Sequence, residues 1–323
     1  MATTTWAPTF NDIAEEAFDL LQIGADGETL TASMQLRARK SYNYMMLSWQ
    51  AQGMHLWTYT EGRLYMKKEQ RTYDTSSAST ADDFARITNN PIDDETAADA
   101  SSGASTITVA DGTKFTNGDN IGILLDDDTL QWTTINGAPA GDVITLTDVL
   151  TGDVASGRWV TAYNDTYSPI SRIPNDGIRR YSGRQNNEVP ALMTDRETYM
   201  SLSDKFTSSG TPVQIYFARQ ETVGTNGQGH EFFVWTKPDS AQWALNFTYE
   251  RQINVIDTPT TDVVDFPRYW QEAIVWNLAD RLRTKFGVKD AERAMEIKDT
   301  AAQLLTNVLN YDDSVVDVKV KVR

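Results

Sequence analysis

The two histidines, His55 and His230, are the chain's only imidazoles, and it has no cysteine. Without cysteine there is no disulfide framework, thiol nucleophile or thiolate metal site. His55 falls in an aromatic, strand-like run and His230 beside a glycine-rich loop, so a two-histidine metal site would need convergence from distant segments. His230-Glu231 is followed by Phe-Phe-Val. A zinc-protease helix needs its second histidine four residues on, where both ligands share one face. No G-x-S-x-G elbow presents a serine nucleophile. No phosphate-cradling G-x-x-x-x-G-K-[ST] loop is present, and Gly224-Thr-Asn-Gly-Gln-Gly229 reads as a turn because no strand feeds it into a helix. Glu15 and Glu16 could contribute to a glycosidase-type carboxylate pair, but they fit better near the positive end of a helix dipole. Asp126-Asp127-Asp128 lacks the alternating ligands and closing glutamate of a calcium loop, and reads as a solvated turn. The expectation is a non-enzyme without catalytic residue, metal or cofactor. Trp49, Trp270 and Trp276 read as core or subunit interface.

The elements that carry these residues divide by position. Apolar residues recur at helical spacing over 10–52 and 267–310, with strand-and-turn sequence between. A helical stripe must bury its face, and the simplest partner for each end is the other. Thr9 or Asn11 is expected to cap a helix carrying Ile13, Ala17, Phe18 and Leu21. A longer helix is expected from about Thr31 to Gln52, with Met34, Leu36, Ala38, Tyr42, Met45, Met46 and Trp49 as its apolar positions and Gly53 as C-cap. His55-Leu-Trp-Thr-Tyr and Arg63-Leu-Tyr-Met-Lys read as a hairpin around Glu61-Gly62, and 75–105 as a linker.

Five strands are expected at 105–110, 120–125, 130–135, 143–146 and 159–163, set off by turn formers such as Asn117-Gly118-Asp119 and Asn136-Gly137. They suggest a small barrel or sandwich inserted into the helical framework. A short helix over 194–205 would be capped by Thr194, with Glu197 completing a capping box. Residues 213–218, 232–236 and 244–249 read as a second β unit. Pro267 suits the first turn of the next helix, whose stripe is Trp270, Ala273, Ile274, Leu278 and Leu282. A further helix covers about 289–310. The final Val316-Asp-Val-Lys-Val-Lys-Val-Arg323 alternates with period two, as a strand that must join some sheet.

The fold class expected is therefore α+β: a discontinuous α-helical bundle from both chain ends, an inserted all-β barrel or sandwich, a second β unit and an extended C-terminal arm. The expected boundaries are 1–92, 93–165, 166–310 and 311–323. The net charge of −16 is uneven. Residues 93–165 hold 13 acids against Lys114 and Arg158 alone. Nucleic-acid binders need lysine and arginine to displace counterions from phosphate, so this segment is a poor candidate for binding DNA: it reads either as a solvated surface or as one that repels DNA and lets it slide past. No apolar run is long enough for a membrane span, and the first ten residues lack the features of a signal peptide.

Five segments carry a family resemblance. Leu47-Ser-Trp-Gln-Ala-Gln-Gly-Met-His-Leu-Trp57, closing the second helix, resembles the N-terminal signature of head-to-tail adaptor proteins of short-tailed bacteriophages, also called tail tubular protein A-like or packaged-DNA-stabilising connectors. Asp195-Arg-Glu-Thr-Tyr199, Thr211-Pro-Val-Gln-Ile-Tyr216 and Phe233-Val-Trp-Thr-Lys-Pro238 resemble that family's middle region. Asp265-Phe-Pro-Arg-Tyr-Trp-Gln-Glu-Ala-Ile-Val-Trp-Asn-Leu-Ala-Asp-Arg-Leu282 resembles its most recognisable helix. The resemblance spans the chain outside about 93–165. It implies a structural virion protein at the head–tail junction, made in the bacterial cytoplasm. Such a subunit would form a dodecameric ring beneath the portal protein, join it to a tail nozzle or tail tube protein, and let DNA pass without sequence-specific binding or contact with a membrane. The acidic insert departs from the pattern of the smallest relatives, and it would either face outward to meet tail fibre or capsid or simply decorate the ring. Interface residues expected from the last helices and the arm are Arg268, Trp270, Trp276, Arg281, Arg283, Tyr311, Val316, Val318, Val320 and Val322. Two alternatives belong to other classes: a tail-associated peptidoglycan hydrolase, and a receptor-binding or decoration protein using the insert.

Overall fold

Thr9 sets the first helix. Its hydroxyl accepts from the Asp12 N–H, and its own N–H donates to the Asp12 carboxylate at 2.8 Å, a reciprocal cap that fixes where the helix begins. In a computed structural model that describes residues 8–23, 29–53, 58–75, 85–165, 167–174, 177–218, 230–287 and 290–313, the chain is α+β. Its helices are α1 (Phe10–Leu20), α2 (Ala32–Ala51), α3 (Arg196–Ser201), α4 (Gln271–Phe286) and α5 (Ala291–Asp313). Two compact units result. One joins Met1–Thr58 to Ile253–Arg323, and the other is Tyr59–Gln252.

In the first unit, helices from both chain ends share one core. Phe10, Ile13 and Phe18 of α1, Tyr42, Met45 and Trp49 of α2, Ile274, Leu278 and Leu282 of α4, and Ile297 of α5 are all buried in it. Ring contacts fix the packing: Phe10 on Tyr42 at 5.3 Å, Trp49 on Trp270 at 5.6 Å and Phe18 on Phe286 at 5.1 Å. Each large apolar side chain buried this way contributes about 1.5–3 kcal/mol. A 3₁₀ turn, Arg268–Trp270, follows Pro267 and leads into α4. Gly287 ends the helix in the left-handed conformation, φ 67°, which a side chain would disfavour. Then α5 runs back along α4: Asn277 donates to the Ala301 carbonyl at 3.1 Å, and the Tyr311 ring meets Tyr269 at 5.1 Å.

The second unit is mainly β. A six-stranded sheet has the order Asn187–Pro190, Ile178–Ser182, Trp243–Arg251, Tyr59–Tyr65, Arg86–Thr88, with Ile170–Arg172 also paired to Trp243–Arg251. A four-stranded sheet holds Leu192–Met193, Gln214–Ala218, Glu231–Trp235 and Thr72–Asp74 in that order. Leu64, Leu245 and Phe247 of the first pack with Tyr73, Ile215 and Phe232 of the second in one core.

Two local expectations change here. Glu61-Gly62 is no hairpin turn but lies mid-strand, Gly62 opposite Phe247. A Cβ at Gly62 would meet the rings of Tyr249 and Phe247, so the glycine serves a close approach between strands. The 196–201 helix is capped by Asp195, whose carboxylate accepts from the Thr198 N–H at 2.6 Å. Thr194 instead bonds through its backbone to the Ile215 carbonyl.

Residues within 93–165 have a core of their own, including Ile107, Phe115, Ile121, Ile123, Ile144 and Val160. They form an open four-stranded sheet, Ile92–Glu95, Trp159–Tyr163, Asn120–Leu124, Leu130–Thr134, beside a ribbon of Thr106–Thr108 with Val143–Thr145. Among the described residues no sheet closes into a barrel. Single bridges, Thr96 to Val109 and Ile135 to Leu146, join ribbon to sheet where closure would need continuous ladders. Aromatic side chains seat this module on the six-stranded sheet: Tyr65, Trp159, Tyr163 and Tyr181 are buried together with Leu124 and Ala244. Gly183 lies so close to Trp159 that a Cβ there would enter the indole.

Burial holds the phenols of Tyr42, Tyr65, Tyr73 and Tyr181 protonated well above the ordinary tyrosine value of 10.0. Raised pKa values in the folded state mean that this stabilisation is complete below about pH 10 and is lost as pH climbs above it, where the unfolded chain ionises first. The expected result is a Tm that is level from pH 7 to 9 as far as these groups are concerned and falls beyond about pH 10. Phenolate absorbance from the buried rings should appear only with unfolding.

Candidate interaction surfaces

The structure separates the expected interface residues. Trp270 is fully buried between Trp49 and Phe266, so its side chain belongs to the subunit's own core and offers no surface. Trp276, also on α4, is half-buried and lines an open groove together with exposed Arg268. Arg283 pairs through Nε with Asp280 at 2.6 Å, three residues back on the same helix. Burial pulls the Arg281 guanidinium below its ordinary value, with Asp280 opposing. Tyr311 is 60% exposed. Val316, Val318, Val320 and Val322 lie outside the described residues.

The groove has a cavity volume of about 570 Å³. Ile13, Leu20, Val275 and Trp276 give it apolar lining, while Asp12, Glu16 and Glu272 supply negative charge and Arg268 a single positive one. Gln271 also lines it, and the Gln271 Oε1 atom is buried without a hydrogen-bond partner among the described residues. A buried acceptor left unpaired costs about 1–3 kcal/mol, so this groove has a use for a donor.

A second surface was missed from sequence. Leu36, Tyr44 and Leu47 of α2 are exposed, Tyr44 by 65% and Leu47 by 51%. With exposed Lys40 and Ala51 they recur at spacings of four, four, three and four residues, one helical face. The opposite face holds the buried Ala38, Tyr42, Met45 and Trp49. The signal was present in the sequence, but two apolar stripes on one helix blur each other's periodicity. Leu36, expected in the core stripe, is exposed.

The residues considered for chemistry are dispersed. His55 lies outside the described residues, and His230 is buried with Nε2 2.8 Å from the Ile170 carbonyl. Glu15 accepts from the Asn11 side chain at 2.6 Å while Glu16 lines the groove, so the adjacent pair does not face one cleft. In the triple-aspartate turn, Arg158 bonds Asp126 at 2.8 Å and Asp128 at 3.2 Å, and Asp127 accepts from the backbone and hydroxyl of Thr129. Those hydroxyl and backbone bonds hold the Asp127 carboxyl below the usual carboxylate range. Among the described residues no group of three or more metal-ligating side chains converges. A polar cleft of about 360 Å³ on the six-stranded sheet is lined by Glu61, Arg63, Asn89, Arg179, Glu188 and Asn246. Its side chains largely satisfy one another: Arg63 donates to Asn246 at 2.7 Å, and Asn246 and Arg179 both donate to Glu188.

Comparison with protein-family models and with curated proteins finds no match to this chain.

Proposed function

We propose that the chain is a structural connector of a short-tailed phage virion, a head-to-tail adaptor whose helical unit packs side by side in a ring beneath the portal. The observation that carries this reading is the outward stripe of α2. A helix apolar on two opposite faces fills its own core with one and has the other to bury against a neighbour. The five segments that resemble the adaptor family support the same conclusion. On this reading the helices from both ends form the ring-building bundle, the portal and the tail nozzle or tube are the partners, and the 93–165 module decorates the outside of the ring. Its carboxylates keep that outer surface charged and solvated. Asp111 is held below the usual carboxylate range by bonds from Thr113, which maintains that charge.

Native mass spectrometry of the protein mixed with its cognate portal ring tests the proposal. The expected result is twelve copies per portal. Tyr44→Asp with Leu47→Asp should abolish ring formation with little change in Tm, since both side chains face solvent in the subunit. A protein that stays monomeric beside the portal, or a double variant that assembles normally, would overturn the reading.

A further inference from the structure

The helical unit presents a stripe on α2 and a groove beside α1 and α4, and the two are opposite in charge. We propose that the α2 stripe of one subunit lies in the groove of a second copy of this chain. Each subunit then gives its stripe to one neighbour and its groove to the other. This rests on the connector reading for the premise that the stripe is buried against a copy, and it names the face that receives it.

Charge selects this pairing. The chain holds 45 acids against 29 bases, yet α2 carries Arg37, Arg39 and Lys40 and no acid at all. Arg39 is engaged within its own subunit, where it donates to the Asp257 carbonyl. Arg37 and Lys40 are exposed, and Lys40 sits in the middle of the stripe between Leu36 and Tyr44. The groove has the opposite balance, Asp12, Glu16 and Glu272 against Arg268. Two stripes face to face would set lysine against lysine, and two grooves would set acid against acid. Only stripe in groove brings opposite signs together, and like charges forced into contact oppose the other two arrangements.

Shape and hydrogen bonding agree with charge. At about 100° and 1.5 Å per residue, Leu36, Lys40, Tyr44 and Leu47 lie within about 80° of arc and extend about 16 Å along α2. From Asp12 to Leu20 the groove follows α1 for about 12 Å on the same rise. Anchors at such spacings are how an amphipathic helix lies in an apolar groove, here the one lined by Ile13, Leu20, Val275 and Trp276. The buried Gln271 Oε1, without a hydrogen-bond partner among the described residues, needs a donor. The Lys40 ammonium supplies it while pairing with the neighbouring Glu272 carboxylate. With Lys40 there, an apolar residue one turn along α2 comes level with Val275, because both helices rise about 6 Å in four residues.

Stripe and groove are different surfaces, so the contact is head-to-tail. It closes a ring where the rotation allows, and does not stop at a two-fold dimer. A single helical face buries less than the roughly 800 Å² per partner of a standard interface. One such contact between free subunits is therefore weak, and covalent trapping is the way to read it.

The absence of cysteine lets single thiols report the contact. Leu36→Cys and Tyr44→Cys, one turn either side of Lys40, are each mixed with isotopically labelled Val275→Cys, so that mass separates mixed disulfides from like ones. Full chains are used, both free and with the cognate portal ring. Under mild oxidation one of the two stripe variants should join Val275→Cys about tenfold faster than it joins Met295→Cys, a control on exposed α5. Adding Lys40→Glu to the stripe chain should slow the reaction about fivefold. Adding Glu16→Lys and Glu272→Lys to the groove chain as well should restore it, a rescue that misfolding would not permit. Rates equal to the control, or disulfides between like chains only, would overturn the proposal. Twelve copies on the portal without the mixed disulfide would sink this contact and leave the connector reading standing. The mixed disulfide without portal binding would do the reverse.

Discussion

Trp270→Ala should destabilise the helical unit by about 3–5 kcal/mol, the range for deleting a large aromatic side chain from a packed core. Trp270 is fully buried and its ring meets both Trp49 and Phe266, so truncation removes apolar contact from α2 and from the segment that leads into α4. The cavity would sit where the N-terminal and C-terminal helices meet, and little can collapse into it because Phe10, Tyr42 and Met45 are fixed in the same core. Trp276→Ala, six residues along, should cost only about 1 kcal/mol, because its side chain lines an open groove. Denaturant titration of the two variants provides the comparison. Equal losses would mean that Trp276 supports the fold as strongly as Trp270 does.

Arg63→Ala should cost about 3 kcal/mol, the low end for removing one partner of a largely buried ion pair. Arg63 is buried within the six-stranded sheet, bonds Asp93 at 2.6 Å and Asn246 at 2.7 Å, and lies 4.0 Å from the ring centre of Tyr181. Asp93 also accepts from the Trp159 indole N–H at 3.0 Å. Truncation leaves the Asp93 carboxylate without its cation at the base of the 93–165 module. The core built on Ile121, Ile144 and Val160 has no contact with Arg63 of this kind and should persist. The expected signature is a changed Trp159 environment and faster proteolysis at the module's base while its own β structure remains. Arg63→Lys should recover only part of the loss, since an ammonium cannot reproduce the planar stacking on Tyr181 together with the forked hydrogen bonds. A fully stable Arg63→Ala protein would show that the aromatic cluster alone seats the module.

Much of the local structure was legible. The helices at both ends follow from apolar spacing and strong caps, Thr9 at the start of α1 and Gly287 at the end of α4. The strands at Asn120–Leu124, Leu130–Thr134 and Trp159–Tyr163 follow from apolar runs separated by turn-forming residues. Other elements carry no such signal. Ile92–Glu95 is Ile-Asp-Asp-Glu, which reads as loop. It becomes a strand because Arg63 and Trp159 satisfy Asp93, and Lys114 lies 3.0 Å from Asp94. Each of these partners is remote in sequence.

The sequence by itself determined the α+β class, the period of each long helix and the uneven distribution of charge, because backbone preference, capping and charge act over a few neighbouring residues. Only the tertiary structure decided that Gly62 sits in mid-strand, that Trp270 is core while Trp276 lines a groove, and that Leu36, Tyr44 and Leu47 face outward. Periodicity tells which residues share a helical face. Which face is buried depends on the partner that covers it, and that partner comes from the far end of the chain.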